Sequence, residues 1–268
     1  MVRLGVLGWP VAHSRSPEMH NAALSALGLT DWTYQRLPVP PHLFEQTTRA
    51  LSGTGFRGAN VTIPHKQAAL ALADSASETA SAIGAANTLT FTAEGAISAD
   101  NTDAPGLLAA LPCSPAGLSA LVLGAGGSSR AAVWALRHAG AASIAIANRT
   151  HERAEALARE FDADAVRRPI RADLLVNCTA VGLVRSATEE QTLNQLGMTN
   201  DAVGRYSYVV DFVYRDAAGT PLLQIARRHG VQTVDGLEIL VAQGALSLEA
   251  WTGRQVPREA MLAAARGQ

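Results

Sequence analysis

Cysteine is nearly absent from this chain of 268 residues: Cys113 and Cys178 stand far apart, without metal-type spacing. No disulfide framework and no metal site are expected, and the low thiol count fits a reduced, cytosolic compartment. Long apolar runs are missing too, since none approaches the ~18 residues that a membrane-crossing helix needs. The apolar start is interrupted by Gly8, Trp9, Pro10 and His13 before it reaches signal-peptide length, so export is not expected. Charge of one sign is also lacking: 22 basic and 23 acidic residues leave a net −1. Nothing draws such a chain to nucleic acid or to an anionic membrane, and a basic DNA-binding module is not expected. What is present is apolar material, 48% of residues against 17% charged, which is ample for burial and unlike a disordered composition. At ~150 residues per domain the length points to two domains. Neither internal repeats nor low-complexity tracts occur.

The scarcest residue of all is lysine. Of the 22 basic residues 21 are arginine, and Lys66 is the single exception. Arginine does not give up its proton near neutral pH, whereas a buried amine can. Lys66 is therefore a candidate for proton exchange; the bland alternative is a stray surface lysine, and the residues around it decide.

The patterning alternates strand and helix. Val2–Gly8, Trp32–Leu37, Gly58–Ile63 and Asn87–Thr92 read as strands. Ser16 reads as an N-cap before Pro17, opening a helix up to Gly28, and Pro41–Leu51, Ser75–Ile83 and Thr102–Leu111 read as further helices. The cluster Pro112, Ser114, Pro115 and Gly117 resembles a linker. Beyond it, Ala120–Gly124, a glycine-rich turn, helix Ser129–Ala139, strand Ser143–Ala147, helix His151–Glu160 and strand Leu174–Asn177 form a βαβ series. Val209–Val213 and Gln232–Val234 read as strands, and Pro221–His229, Leu237–Thr252 and Pro257–Arg266 as helices. Short, almost continuously apolar strands are what a parallel sheet covered on both faces demands.

Gly124-Ala125-Gly126-Gly127-Ser128-Ser129 lies between a strand and a helix, which turns a weak glycine motif into a dinucleotide-site candidate. Gly124 suits the tight turn, Gly126 and Gly127 admit a pyrophosphate, and the helix beginning near Ser128 points its positive end at that anion. At the end of the next strand, where an NAD enzyme carries a carboxylate against the ribose, stand Asn148, Arg149 and Thr150, with Arg153 a turn later. Two guanidinium groups suit a 2′-phosphate, so NADP is favoured over NAD. The N-terminal half offers small polar groups at its strand ends: Ser14, Ser16, Asn60, Thr62, His65, Lys66, Asn87, Asn101, Thr102 and Asp103. Singly each has a local explanation, as cap or turn. Together they imply a small, hydroxyl-rich ligand at the carboxyl ends of the strands.

The segments Gly8-Trp-Pro-Val-Ala-His-Ser-Arg-Ser-Pro-Glu-Met-His-Asn21, Asn60-Val-Thr-Ile-Pro-His-Lys66, Gly84-Ala-Ala-Asn-Thr-Leu89 and Asn101-Thr-Asp103 resemble the shikimate dehydrogenase family. The likeness continues through the Gly124 turn, Asn148–Thr150 and Asn177–Gly182 to Gln243-Gly244 and Trp251-Thr-Gly253. The resemblance implies an α/β fold: an N-terminal α/β substrate domain, 1–101 completed by 237–268, and an inserted Rossmann-type, doubly wound NADP-binding domain, 102–236. It implies that Ser14, Ser16, Thr62, Asn87, Asp103, Tyr214 and Gln243 hold shikimate, that Asn60 and Thr102 line the same pocket, and that Lys66 and Asp103 form the catalytic pair. For NADP it implies Gly124, Ala125, Gly126, Gly127, Ser128, Asn148, Arg149, Thr150, Arg153, Phe212, Gly236 and Glu78. Ala104, Leu183, Asp216 and Ile239 depart from the family's usual glycine, methionine, proline and methionine; none removes a catalytic group.

The activity so implied is the reversible reduction of 3-dehydroshikimate to shikimate by NADPH, in the shikimate pathway of aromatic amino acid biosynthesis. The partner expected is that small molecule, with no nucleic acid and no membrane; a homodimer is compatible with the family. Two alternatives stay open: a dehydrogenase preferring quinate or an aminated shikimate, and a non-catalytic NADP-binding regulator. The regulator should have lost Lys66 or Asp103, and both are present.

Overall fold

A computed structural model describes residues 1–215 and 218–267, so Asp216 lies outside the described residues. The chain divides into two compact units, 1–106 with 240–268, and 107–239. The divisions fall inside helices rather than in the Pro112–Gly117 stretch that resembled a linker.

In the first unit the elements run β1 (Val2–Gly8), α1 (Ser16–Ala26), β2 (Trp32–Pro38), a 3-10 turn (Pro41–Leu43), α2 (Phe44–Ser52), β3 (Phe56–Val61), α3 (Lys66–Leu72), β4 (Ser75–Ala76), α4 (Glu78–Ile83), β5 (Thr88–Phe91), β6 (Ile97–Asp100) and α5 (Asp103–Ala110). The sheet order is β2-β1-β3-β5-β6-β4. Strands β2, β1 and β3 run parallel, and β5 is antiparallel to both β3 and β6. Its core gathers Leu7, Phe44, Phe56, Val61, Leu89 and Phe91.

Two expectations change here. Ser16 is the first residue of α1 rather than its N-cap: Arg15 holds that position with no side-chain cap, and the Ser16 N–H instead donates to Ser14 Oγ at 3.3 Å. The segment 75–83 is not one helix, because Ser75–Ala76 pairs with β6. Ser77 then caps α4 by accepting from the Ala80 N–H at 3.0 Å. A serine hydroxyl satisfies the orphan first-turn donors better than continuing the helix would.

The second unit runs β7 (Ser119–Leu123), α6 (Gly127–His138), β8 (Ser143–Ala147), α7 (His151–Phe161), β9 (Asp164–Val166), β10 (Leu174–Asn177), α8 (Glu189–Leu196), α9 (Asn200–Val203), β11 (Tyr208–Asp211), α10 (Pro221–Arg228) and β12 (Gln232–Val234). Every pairing is parallel, in the order β12-β11-β10-β7-β8-β9. Counted from β7 that is 6-5-4-1-2-3, the doubly wound dinucleotide order. Strands β7 and β10 are buried almost throughout, as their unbroken apolar sequences require. Leu121, Leu175, Val209, Leu222, Leu223 and Ile225 fill this core. Helix α6 starts at Gly127, slightly ahead of the Ser128 expected from the sequence. The chain closes with α11 (Gly236–Thr252) and α12 (Arg258–Arg266). Among the described residues no helix is long and apolar enough to cross a membrane.

Candidate active site

The registers of the first unit converge on one sheet edge. Leu7 pairs with Val61, Asn60 with Thr88, and Thr88 with Asp100. The ends of β1, β3 and β6 and the start of β5 therefore share an edge, which collects Ser14, Thr62, Lys66, Asn87 and the 101–103 segment. Asn87 is bracketed there: its carbonyl accepts from the Val61 N–H at 2.8 Å and its N–H donates to the Asp100 carbonyl at 3.1 Å.

Lys66 opens α3 and Asp103 opens α5. A carboxylate suits the positive end of a helix; an ammonium there does not and needs a counter-charge. Asp103 supplies it, with Lys66 Nζ donating to Asp103 Oδ2 at 2.5 Å. Both are buried, at 8% and 5% exposure, so the single lysine is not a stray surface residue. Asn101 fixes the carboxylate's backbone: its Oδ1 accepts from the N–H groups of Asp103 and Ala104, and its amide donates to the Ala85 carbonyl at 2.8 Å. His65, next to Lys66, is turned elsewhere, bonded through Nε2 to the Val39 carbonyl and stacked on Phe44.

Amides and hydroxyls surround the pair. Asn87 Nδ2 donates to Asp103 Oδ1 at 2.9 Å, Thr102 Oγ1 at 3.0 Å and Gln243 Oε1 at 3.0 Å. Gln243 comes from α11, and Ser247, one turn further along that helix, adds a hydroxyl. Ser247 Oγ meets Thr88 Oγ1 at 2.8 Å and Thr102 Oγ1 at 3.1 Å. Asn60 Nδ2 donates to Ser247 Oγ at 2.9 Å, and Tyr34 donates its hydroxyl to Asn60 Oδ1 at 2.8 Å. Lys66, Asp103, Asn87, Thr102, Gln243 and Asn60 thus belong to one connected network. Ser14 and Ser16 are buried together at the start of α1, where Arg36 donates to the Ser14 carbonyl and to Glu18. Thr62 is half-buried just past β3, and Tyr214 half-buried past β11 in the second unit.

Beneath the network His20 is fully buried, stacked on Tyr34 with ring centroids 4.1 Å apart. Neither ring nitrogen has a partner of hydrogen-bonding geometry, although the Asn60 side chain acts weakly to favour the charged form. Burial wins and holds the imidazole down at about 3.

In the second unit Gly124 has φ of 110°, and an added Cβ would stand 2.8 Å from Ser129 Oγ. Only glycine suits that position. The same Ser129 hydroxyl accepts from the Gly126 N–H at 3.3 Å, so the compact third position steadies the turn. At Gly126 nothing lies within 4 Å of where a Cβ would be, which leaves an open cradle at the start of α6. Ala125 and Ser128 flank it, half-buried. Arg149, Thr150 and Arg153 are exposed after β8, and the Asn148 amide donates to the Thr150 carbonyl at 2.8 Å. Asn148 and Arg149 line a cleft of about 670 Å³, whereas Thr150 and Arg153 are not among its walls. Phe212 follows β11, half-buried; at Gly236 an added Cβ would approach the carbonyls of Phe212, Val213 and Asp211 within 2.7–2.9 Å. Glu78 lies exposed on the first turn of α4, in the first unit.

The sequence reading missed several contributors. Tyr34, Thr88 and Ser247 complete the hydroxyl network, and the four-residue step from Gln243 to Ser247 was the available signal. Arg167 and Arg168 line the second unit's cleft. Asp211, fully buried, accepts from Asn177, Thr220 and the Val213 N–H, fixing the loop that bears Phe212. Burial pushes its carboxyl up to about 7 against those three bonds, and the Asp235 charge adds to the rise.

The strand order and the open glycine turn are those of a doubly wound, dinucleotide-binding protein. Comparison with known proteins narrows this. The family model for the shikimate dehydrogenase substrate binding domain matches residues 6–89, that for shikimate/quinate 5-dehydrogenase 111–210, and that for the shikimate 5′-dehydrogenase C-terminal domain 236–266. The shikimate dehydrogenase (NADP(+)) of Methylobacterium radiotolerans is 44% identical over 94% of this chain and 91% of its own length. That of Methanopyrus kandleri is 41% identical over 96% of this chain and 92% of its own. The crystal structure of shikimate 5-dehydrogenase from Thermus thermophilus, in complex with NADP(H) and shikimate, has a TM-score of 0.84 at 40% identity, covering 100% of this chain and 99% of that one. The chain belongs to the shikimate dehydrogenase family, with its N-terminal α/β substrate domain and Rossmann-type NADP-binding domain.

Proposed function

We propose that this chain catalyses, in the cytoplasm, the reversible reduction of 3-dehydroshikimate by NADPH and a proton to shikimate and NADP, a step toward chorismate and the aromatic amino acids. The observation that carries the reading is the buried Lys66–Asp103 ion pair set among neutral amides and hydroxyls. A polyol is recognised by such groups, and an alcohol–ketone interconversion needs one proton moved at one oxygen. Segments 1–101 and 237–268 are assigned to substrate and 102–236 to NADP. Asn87, Asp103 and Gln243 would bind the substrate hydroxyls with Ser14, Ser16, Thr62 and Tyr214, beside Asn60 and Thr102.

The second unit fits the dinucleotide. The open cradle at Gly126 and the N–H groups opening α6 suit a pyrophosphate, and Arg149 suits a 2′-phosphate. Bound NADPH supplies a hydride to the C3 carbonyl carbon. As negative charge grows on the carbonyl oxygen, the Lys66 ammonium stabilises it and delivers the proton. In the oxidative direction the neutral amine takes the hydroxyl proton back. Asp103 orients the amine through Oδ2, while Asn87 holds Oδ1. Arginine at position 66 could stabilise the oxyanion but could not exchange the proton.

The test follows NADPH absorbance with 3-dehydroshikimate, and NADP reduction with shikimate and with quinate in parallel. Turnover of the shikimate pair is expected to dominate. Preference for quinate would move the assignment to the analogue enzyme, and no turnover with any of the three would refute it.

A further inference from the structure

Arg167 and Arg168 have no part in the chemistry above, yet they wall the same cleft as Asn148 and Arg149. Their position follows from register. Strands β8 and β9 are parallel neighbours, with Ala147 opposite Val166. Arg149 and Arg168 each stand two residues past a paired position, just beyond the ends of strands about 4.8 Å apart. The cleft is also lined by Leu123, the residue before the Gly124 turn, and by the last turn of α8 with Asn194 and Gln195.

The charge is unbalanced. Three guanidinium groups line this cleft and no acidic residue does. Among the described residues the side chains of Arg149, Arg167 and Arg168 make no ion pair and no hydrogen bond. Other arginines of the chain do stand against carboxylates, as in Arg130–Glu160 and Arg228–Glu189. Three uncompensated like charges in one cleft repel one another, an arrangement that an anionic ligand relieves. The residues that bring them together are all on the second unit, at the carboxyl end of its sheet, where doubly wound folds bind ligands.

We infer that Arg167 and Arg168 are specificity-determining residues that, with Arg149, clamp the phosphorylated ribose of the dinucleotide. The inference rests on the NADP reading above and adds two residues to it. A 2′-phosphate carries close to two negative charges and accepts forked contacts from guanidinium groups. One arginine cannot meet all of its oxygens, and a second cation from the neighbouring strand can. The Asn194 and Gln195 side chains offer amide donors and acceptors to the attached base.

The test is equilibrium binding by calorimetry, with 2′,5′-ADP and 5′-AMP as probes, on wild type, Arg149→Gln and the double variant Arg167→Gln/Arg168→Gln. The double variant is expected to bind 2′,5′-ADP about tenfold more weakly, the size of one solvent-screened charged contact, with 5′-AMP unchanged within about twofold. Its dependence of log Kd on log salt should flatten. Thermal melting guards against misfolding: without ligand the double variant should melt at or above the wild-type temperature, since a repulsion has been removed, while the rise on adding NADP shrinks. If wild type favours 2′,5′-ADP and the double variant keeps that preference in full, or loses both probes equally, the role of Arg167 and Arg168 is overturned and the NADP reading stands. If wild type does not distinguish the two probes, the NADP reading falls as well.

Discussion

Lys66→Arg separates charge from proton exchange at the centre of the site. Removing the amine outright is less clean. In Lys66→Ala the Asp103 carboxylate, with a side chain 8% exposed, loses its cation and keeps Asn87 as a donor. Breaking a buried pair in this way costs about 3–5 kcal/mol of stability, a sizeable part of the ~5–15 kcal/mol typical of a folded chain. Arginine can still donate to Asp103 Oδ2, so the fold and the binding of NADPH should survive. It holds its proton throughout the working pH range. The step that needs a proton delivered and recovered should slow by about 10² to 10⁴ in kcat, or ~2.7–5.5 kcal/mol in the barrier. The assay is steady-state kinetics in both directions, with melting temperature measured alongside. KM for NADPH should change little, and Lys66→Ala should show a similar kcat loss with a lowered melting temperature. A Lys66→Arg enzyme with kcat within about tenfold of wild type would refute the acid–base role.

Arg149→Ala should weaken NADPH selectively, raising its KM while leaving that for NADH near the wild-type value; an unchanged NADPH-to-NADH preference would remove the 2′-phosphate assignment. His20 should make the protein acid-sensitive: the unfolded chain takes up a proton below about 6.5, the buried ring only near about 3, so stability is whole above the first value and falls as pH drops toward the second. At pH 5 its share of the loss is about 2 kcal/mol, read as the extra drop between pH 7 and 5 in urea unfolding of wild type relative to His20→Phe. Equal drops in both proteins would mean that His20 is protonated in the fold.

The parallel sheet of the second unit was readable because buried parallel strands are continuous apolar runs; Ser143–Ala147, Leu174–Asn177 and Gln232–Val234 appear with the expected bounds. Three strands were not. β4, β6 and β9, with the sequences Ser-Ala, Ile-Ser-Ala-Asp and Asp-Ala-Val, carry no apolar run, and β4 and β9 are edge strands held by a single neighbour. Missing β9 hid Arg167 and Arg168, whose position is defined only by where that strand ends. Helix α8 did carry a signal, Thr188-Glu-Glu-Gln191, a reciprocal capping box that the structure displays. In the candidate site, Lys66 was legible from composition and the glycine turn from its place between strand and helix. The Tyr34, Thr88 and Ser247 hydroxyls were not, since they reach the network from separate elements and only the fold brings them together.

The meeting of Thr88, Thr102 and Ser247 leaves their protons undecided, because in each contact either oxygen can donate. Rotation about three C–O bonds reverses the direction of the whole ring without moving a heavy atom. Thr102 can therefore turn toward a neighbour as giver or as receiver of a hydrogen, and Asn87 absorbs the change because its amide faces the cluster with both a donor and an acceptor. A cluster of this kind can meet a hydroxyl or a carbonyl without moving a heavy atom, which suits a reaction run in both directions.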